Sequence, residues 1–445
     1  MKIITLLACL SPTIDYTTIR QLSNIAEAIL AMTGRLTMLG ISRWTERYGS
    51  YRTVQRFFST QLHWGKLRWL FVRHHLLEPQ DVILIGGDEV VVSKSGKKTY
   101  GLGRFFSSLY GKVVPSVCFL SLSLISVKHR RSYPMMMEQV IKDQPKVDSE
   151  TVPKPTSTKP TSRKGKRGRP KGSCNKNRQQ VELSHHLQLV QHTLKSLLSL
   201  IGTDLSLVYF VFDGAFGNND ALQMVKQCHL HLISKLRFDA ALYWPYDGEY
   251  CGRGRRKKYG NKLNYKQLPK QFLKSSNLED GIQTQIYQMN VWHKLFADLL
   301  NVVIIVKTNL KTGKVAHVIL FSDELILTYD KLIEYYQLRF QIEFNFRDAK
   351  QYWGLEDFMN ISRNAVYNAA NLAMFMVNLS SALLQHNSRD LVGSSVNDLK
   401  AWFRARKYVL NTLKSSGQNV DPIFIEHIVF QVASLGRINP PVGDI

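Results

Sequence analysis

Two apolar runs that each lead to an aspartate constrain the fold more than any other feature of the sequence. Residues 82–85 lead through two glycines to Asp88, and residues 205–212 end at Asp213. Both runs are rich in β-branched or other large apolar side chains, which predict buried strands. A predicted helix near residues 219–228 and a further strand follow the second run, which is the order of a βαβ unit. The sequence therefore predicts an α/β fold built on a mixed sheet.

Other stretches have patterns of their own and divide the chain into seven segments. Apolar residues recur at helical spacing near the N-terminus, three strands at hairpin spacing follow Asp81, and the chain is helical again from Asp330 nearly to its end. The predicted segments are a helical N-terminal DNA-binding region (1–80), the first part of a catalytic core (81–143), a basic linker (144–180), the second part of the core (181–242), a β-rich insertion (243–328), a helix with Glu343 (329–355) and a helical C-terminal region (356–445).

The net charge restricts what the chain binds. It carries 59 Lys and Arg residues against 34 Asp and Glu residues, a net charge of +25, which favours a polyanion such as nucleic acid or an anionic membrane surface. No apolar stretch reaches the ~18–20 residues of a membrane-spanning helix. Five cysteines without a C-x-x-C pair argue against a disulfide framework or a zinc knuckle. We therefore expect a cytoplasmic, nucleoid-associated protein with no membrane partner.

Two basic clusters are candidate DNA contacts. Between residues 151 and 180 there are ten basic residues and no acidic one, a composition that predicts disorder. This tract contains an Arg-Gly-Arg-Pro core, in which Arg167 and Arg169 resemble the arginines of an AT-hook that enters A·T minor grooves; a plain electrostatic tether is the alternative. The second cluster is a loop of the insertion and includes Arg255 and Arg256.

The N-terminal region offers another candidate DNA contact. Residues 37–48 and 50–58 predict two short helices joined at Gly49, with Ser50 as an N-cap. The pair is either a helix-turn-helix or an ordinary helical hairpin. In the first interpretation three side chains of the second helix face DNA: Arg52, Gln55 and Arg56.

Three acidic residues are candidates for chemistry because of where they lie. Asp88 is within an apolar strand, where a carboxylate is unfavourable unless it is paired or binds a metal ion. Asp213 ends a second apolar strand, and Glu343 lies in a helix predicted from Leu332 to about Trp353. Carboxylates from two strands and a helix can form the oxygen cage that Mg²⁺ prefers. Two such ions, about 3.5–4 Å apart, can activate an attacking oxygen and stabilise a leaving oxygen.

The predicted glutamate helix carries an unusual polar line. Tyr336, Arg339, Glu343 and Lys350 follow one another at steps of three, four and seven residues, which places them on one side of a continuous helix. A carboxylate flanked by cations and a phenol suits a metal ion with phosphates beside it. The alternative is a solvated charged stripe, which does not account for the apolar residues around it.

These residues carry a resemblance to a known family. The Tyr-x2-Arg-x3-Glu-x6-Lys spacing resembles the Tyr-Arg-Glu-Lys signature of the DDE transposases of insertion-sequence family four. Residues 88–104 resemble the first-aspartate block of that family. Residues 212–217 resemble the second block, although the Arg-Tyr pair that often follows its aspartate is absent.

The resemblance implies both a fold and a catalytic site. The fold would be an RNase H-like mixed-sheet core with a β-rich insertion, flanked by helical N- and C-terminal regions. A triad of Asp88, Asp213 and Glu343 would hold two Mg²⁺ or Mn²⁺ ions. By the same analogy three further side chains would bind phosphates near the scissile bond: Tyr336, Arg339 and Lys350.

The expected function is DNA transposition. A transposase of this kind binds the terminal inverted repeats of its transposon, cuts them and joins them to target DNA, and we expect a homodimer in the DNA complex. Two alternatives are an RNase H-like nuclease or junction resolvase without strand transfer, and a non-catalytic DNA-binding protein descended from a transposase. Strand joining on a labelled terminal repeat distinguishes the three.

Overall fold

The computed structural model describes residues 3–45, 49–107, 109–142, 177–250, 252, 254–386, 395–416 and 421–438. Most of the predicted basic linker, 144–180, lies outside these residues. The AT-hook-like motif with Arg167 and Arg169 is part of that stretch, so its role stays a prediction.

Helices occupy both ends of the described chain, and strands occupy most of the middle. The helices are α1 (Ile3–Leu7), α2 (Tyr16–Ala31), α3 (Met38–Trp44), α4 (Tyr51–Ser59), α5 (Trp64–His75), α6 (His185–Ile201), α7 (Asn219–Lys226), α8 (Tyr329–Leu338), α9 (Gln341–Gln351), α10 (Arg363–His386), α11 (Val396–Ser416) and α12 (Pro422–Ser434). The strands are β1 (Ile83–Ser93), β2 (Gly103–Ser107), β3 (Lys112–Ser126), β4 (Arg131–Val140), β5 (Tyr209–Val211), β6 (His231–Leu236), β7 (Leu242–Pro245), β8 (Tyr259–Lys262), β9 (Leu273–Glu279), β10 (Ile282–His293), β11 (Leu299–Asn309) and β12 (Val315–Ser322).

The strands form one mixed sheet, as the sequence predicts. β1 pairs antiparallel with β3 and parallel with β5, and β5 pairs parallel with β6. Helix α7 connects β5 to β6, which is the predicted βαβ unit. β5 is shorter than the predicted strand at 205–212, because ladder pairing with β1 and β6 begins only at Tyr209.

The predicted three-strand meander after Asp81 contains a fourth strand. β4 pairs antiparallel with β3 on the side opposite β1, and the register shifts between Leu122 and Ser123, where β4 carries Pro134. Proline and three consecutive methionines are poor strand signals, so the pattern of the sequence did not predict β4. The strand forms because its methionine face is buried, and the Pro134 carbonyl accepts a hydrogen bond from Asn378 of α10 at 2.8 Å.

The strands of the predicted insertion extend the same sheet. β12 pairs antiparallel with β6, and the order continues through β11, β10, β7 and β8, while β9 pairs with β10. The sheet therefore runs without interruption from the core into the segment predicted as an insertion.

A buried polar network joins the N-terminal helices to α10. Arg68 of α5 is fully buried and donates to the Met135 carbonyl at 2.7 Å and to the side chain of Asn371. Asn368, one turn earlier on α10, accepts from the Trp64 indole at 2.7 Å and donates to the Phe58 carbonyl. These hydrogen bonds hold the N-terminal helices against α10, because moving the helices apart would leave a buried amide or guanidinium without a partner.

The predicted N-cap at Ser50 is confirmed. Its hydroxyl accepts a hydrogen bond from the Thr53 amide at 3.3 Å, at the start of α4. Three side chains of α4 are exposed and available to a DNA partner: Arg52, Gln55 and Arg56. Exposure agrees with both a helix-turn-helix and a helical hairpin, so the choice between them stays open.

Candidate active site

The parallel pairing of β1 and β5 brings Asp88 and Asp213 to the same level of the sheet. Gly86 pairs with Val211, and each aspartate lies two residues beyond that pair on its own strand. Neighbouring strands are about 4.8 Å apart, so Asp88, in the middle of β1, and Asp213, just after the end of β5, lie side by side. The Asp213 carboxylate also caps the turn that follows it by accepting a hydrogen bond from the Ala215 amide at 3.0 Å.

Helix α9 brings Glu343 to the same place by packing on a glycine of β1. A Cβ atom on Gly86 would lie 2.7 Å from Cδ1 of Ile342, so the missing side chain is what permits this approach. Residues two apart in a strand share a face, and Asp88 therefore points to the side on which α9 lies. Glu343 directly follows Ile342 at this contact.

One guanidinium bridges the two carboxylates. Nη1 of Arg339 lies 2.6 Å from Oδ2 of Asp88, and Nη2 lies 3.1 Å from Oε1 of Glu343. The Arg339 side chain is only 14% exposed, and its Nε is buried with no hydrogen-bond partner in the described structure. The Tyr336 hydroxyl is within hydrogen-bonding reach of the same guanidinium.

The prediction of one continuous helix from Leu332 to about Trp353 is wrong. The chain forms two helices, α8 and α9, separated by a short turn at Arg339 and Phe340. Around this turn the amides bond to carbonyls three residues earlier, as in a 3₁₀-helix, which interrupts the α-helical bonding. The apolar periodicity continues through the turn, so it did not reveal the break.

Lys350 lies apart from the other signature residues because it is two turns after Glu343 on α9. Its Nζ donates to the Val91 carbonyl of β1 at 3.2 Å and lies 3.1 Å from Oε1 of Glu356. Tyr336, Arg339 and Glu343 are brought together, whereas Lys350 lies farther along β1. It contacts neither Asp88 nor Glu343 through any hydrogen bond or ion pair found among the described residues.

Burial and crowding of negative charge perturb Asp88. Burial is the largest cause of a rise in the pKa of its carboxyl to about 6; Arg339 opposes the shift, and the nearby charges of Asp213 and Glu343 add to it. Burial likewise raises the pKa of the Tyr336 hydroxyl, which stays protonated near neutral pH and can donate a hydrogen bond.

The three carboxylates fit a hard divalent cation by chemistry and charge. Carboxylate oxygens are the ligands that Mg²⁺ takes in proteins, and three negative charges here face a single guanidinium. Within the part of the chain that the structure describes, no three His, Cys, Asp or Glu side chains lie close enough together to enclose a metal ion. Arg339 supplies the positive charge between Asp88 and Glu343 in this arrangement.

A polar pair beside the triad was not predicted. Glu89 points to the opposite face of β1 from Asp88 and makes a short hydrogen bond to His186 of α6. The His186 ring lies 5.6 Å from that of Phe216, which stacks on Phe212 at 3.6 Å. The pair thus supports the turn after Asp213. The only feature of the sequence that could have predicted this pair is the alternation of strand residues, which places Glu89 on the face of the sheet opposite Asp88.

The basic loop of the insertion forms a cationic surface with aromatic residues. Arg255 and Arg256 line a concavity with Arg178 and Lys258. Nζ of Lys258 lies 3.5 Å from the centre of the Trp292 ring, a cation–π contact. Sequence reasoning identified the two arginines but missed the aromatic partner, which lies on β10, about 35 residues away in the chain.

Comparison with known proteins identifies the family. The family model described as a DDE superfamily endonuclease matches residues 8–296, well over half of the chain. The chain belongs to this family. The match includes Asp88 and Asp213 and ends before Glu343, so the role of the glutamate stays a prediction. None of the curated proteins compared with the chain matches it.

Membership in the DDE superfamily agrees with the fold. The β4-β3-β1-β5-β6 order, with helices on the sheet, fits an RNase H-like core, so the predicted fold class is confirmed. The family implies an endonuclease- or transposase-like enzyme with a DNA substrate, and its members generally use divalent metal ions. Among the described helices, none is long and apolar enough to cross a membrane.

Gly217 offers a test of how the turn after Asp213 is held. A Cβ atom there would lie 2.1 Å from the Lys235 carbonyl oxygen, a backbone atom of β6 that cannot rotate away. We expect Gly217→Ala to lower the free energy of unfolding by about 1–3 kcal/mol and to reduce cleavage, because the turn must shift.

Gly436→Ala is the matched control, since its added Cβ would make an ordinary 3.4 Å contact far from the site. Urea unfolding and cleavage assays on both variants check the prediction. A Gly217→Ala protein as stable and active as the control would show that the turn does not depend on this contact.

Proposed function

We propose that this DDE superfamily endonuclease is a transposase of insertion-sequence family four, which binds transposon ends, cuts them and joins them to target DNA. The observation that carries the proposal is the bridge from Asp88 through Arg339 to Glu343. It joins the first acid of the sheet to the arginine and glutamate of the signature, and Asp213 lies beside it on the next strand.

The carboxylates and the cations have separate roles in this proposal. Asp88, Asp213 and Glu343 would hold two Mg²⁺ or Mn²⁺ ions, which when bound would activate the attacking oxygen and stabilise the leaving oxygen. Arg339 presents a planar fork that matches two oxygens of a phosphate, and the protonated Tyr336 hydroxyl can donate to the same group. Lys350 would contact a phosphate farther along β1.

Two phosphoryl transfers make up the reaction. In the first, a water oxygen bonds to the phosphorus at the transposon end, the bond to the 3′-oxygen breaks, and a 3′-hydroxyl is released. In the second, that hydroxyl attacks a target phosphodiester and displaces another 3′-oxygen. The proton of each attacking group passes to solvent and each leaving oxygen gains one, so no oxidant or energy source is needed.

The basic surface supports the proposed binding of long DNA. Arg255, Arg256 and Lys258, in the loop before β8, line one concave surface with Arg178, which precedes α6. A protein with a net charge of +25 binds DNA largely by releasing counterions, so its affinity falls steeply with salt. We propose that two protomers bring two transposon ends together on this surface.

A nuclease or junction resolvase is the second candidate, because the matched family is described as an endonuclease. The test uses labelled terminal-repeat DNA, an unlabelled plasmid and Mg²⁺. We expect cleavage followed by joining of the label to the plasmid, and loss of both in Glu343→Gln.

Glu334→Gln is the control, since Glu334 lies on α8 in an exposed ion pair with Arg130 and should behave as the parent protein. Cleavage without joining would favour the nuclease, and DNA binding without cleavage would favour a non-catalytic protein.

A further inference from the structure

Arg339 places its positive charge between two of the three carboxylates of the site. Its two terminal nitrogens contact Asp88 Oδ2 at 2.6 Å and Glu343 Oε1 at 3.1 Å, and these acids come from different elements, β1 and α9. The guanidinium is nearly buried, at 14% exposure, so solvent screens these contacts weakly. In this structure Arg339 therefore acts as the counter-ion of the site.

The same two carboxylates are needed as ligands for a divalent cation. An oxygen that accepts a charged hydrogen bond has less capacity to coordinate a metal ion, and the ion would repel the adjacent guanidinium. From this geometry we propose that Arg339 competes with the divalent cation for Asp88 and Glu343, and leaves them to bind a DNA phosphate. Metal and DNA would then bind cooperatively. The inference rests on the proposed function, because it assumes that one site binds both.

The surroundings of Arg339 allow the exchange. The residue lies in the short turn between α8 and α9, and the next residue, Phe340, is 50% exposed. Rotation about side-chain bonds can move the guanidinium outward without moving either helix. Its Nε is a buried donor with no partner in the described structure, so a phosphate that accepts from Nε and a terminal nitrogen would satisfy a group now unpaired.

Thermodynamic linkage makes the proposal quantitative. If metal binding frees Arg339 for DNA, then DNA binding must strengthen metal binding by the same factor. If the Arg339-paired arrangement makes up about nine-tenths of the free protein, the apparent metal affinity is reduced about tenfold. Removing the guanidinium should remove that penalty.

The first experiment measures Mn²⁺ binding to DNA-free protein by the electron paramagnetic resonance signal of the free ion. We expect Arg339→Gln to bind Mn²⁺ about tenfold more tightly than the parent protein. Arg347→Gln is the matched control: it removes a cation from α9, the helix that follows Arg339, but Arg347 pairs with Asp348 and is 58% exposed. We expect its Mn²⁺ affinity to change less than about threefold, because an exposed charge is screened.

The second experiment measures affinity for terminal-repeat DNA by fluorescence anisotropy at constant ionic strength, with EDTA or with Mn²⁺. The parent protein and Arg347→Gln should gain about tenfold in affinity on adding Mn²⁺, and Arg339→Gln should gain clearly less. Circular dichroism melts confirm that each variant is folded. Arg339→Lys, which keeps the charge but loses the fork, serves as a second variant should the glutamine variant unfold.

The outcomes separate this inference from the proposed function. Equal or weaker Mn²⁺ binding in Arg339→Gln, with the parent protein still binding Mn²⁺, would overturn the competition and leave the transposase proposal intact. No Mn²⁺ binding by any variant, with or without DNA, would overturn both. An equal gain in DNA affinity in all proteins would show that Mn²⁺ contacts the phosphate without any contribution from Arg339, which also overturns the inference.

Discussion

Asp88→Asn is expected to abolish DNA cleavage and, in the absence of metal, to make the protein more stable. The loss of cleavage should be at least about 10³-fold, or roughly 4 kcal/mol of activation free energy, because a ligand charge is removed. The gain in stability follows from burial, which raises the pKa of the carboxyl from 3.8 to about 6. An ionised Asp88 is thus less favourable in the folded protein than in the unfolded chain.

The sign of the pH dependence follows from the same shift. Well below pH 3.8 the carboxyl is protonated in both states and destabilises neither. As the pH rises from about 4 to about 6, the unfolded chain ionises first, so the parent protein loses stability relative to the variant. The difference becomes constant at about one pH unit above the folded pKa, on the order of 1–2 kcal/mol after allowing for the pairing that Arg339 loses.

Urea unfolding in EDTA at pH 4 and pH 7 measures this difference. Asp239→Asn, which removes a carboxylate from an exposed ion pair with Arg237, should change stability by less than about 0.5 kcal/mol at both values. Added Mn²⁺ should stabilise the parent protein but not Asp88→Asn. If Asp88→Asn were less stable than the parent protein at pH 7, Asp88 would instead be a structural partner of Arg339.

Asn371→Leu is expected to lower the free energy of unfolding by about 3–5 kcal/mol, because it leaves a buried cation without a main partner. Arg68 is fully buried, and burial lowers the pKa of its guanidinium to about 10. The Asn371 side chain accepts from this guanidinium and donates to the Tyr367 carbonyl at 2.9 Å. Leucine has the same number and branching of side-chain heavy atoms and is somewhat larger, so the substitution leaves no cavity.

A double mutant provides the control for this prediction. When both partners of a buried polar pair become apolar, the cost falls, because no charge is left unpaired. Arg68→Met combined with Asn371→Leu should therefore be more stable than Asn371→Leu alone. A loss below about 1 kcal/mol in the single mutant, measured by urea unfolding, would mean that water or another carbonyl replaces the amide.

The parts of the fold that depend on local pattern could be predicted from the sequence. The strands before Asp88 and Asp213 and the crossover at α7 follow from β-branched runs and helical spacing, and both are present. β4 could not be predicted in this way, since its methionines favour a strand only once α10 covers them. The turn at Arg339 was not predicted, because the spacing of apolar residues does not show whether an amide bonds to the carbonyl three or four residues earlier.

The sequence predicted which residues belong to the candidate site, but not which of them contact one another. Helical spacing related Arg339 to Glu343, apolar strands marked the two aspartates, and family resemblance joined them in a triad. The bridge from Arg339 to Asp88 joins residues 251 positions apart, and it depends on the missing side chain at Gly86, which lets α9 approach β1. Gly86 is visible in the sequence, but the sequence does not show that α9 packs against it.

The order of the carboxylates along the chain has a consequence during protein synthesis. Asp88 and Asp213 are made first, and Glu343 follows 130 residues after Asp213, a delay of roughly 7–26 s at about 5–20 residues per second. Until α9 has been made and has packed on Gly86, the nascent chain has two aspartates and the exposed cations of α4 but lacks the third acid and its arginine. A newly made protein could therefore associate with nearby DNA before it can cut it. A messenger RNA broken before the codons of α8 would yield a product that binds DNA but cannot cut it. Such a product would compete with the complete enzyme for DNA.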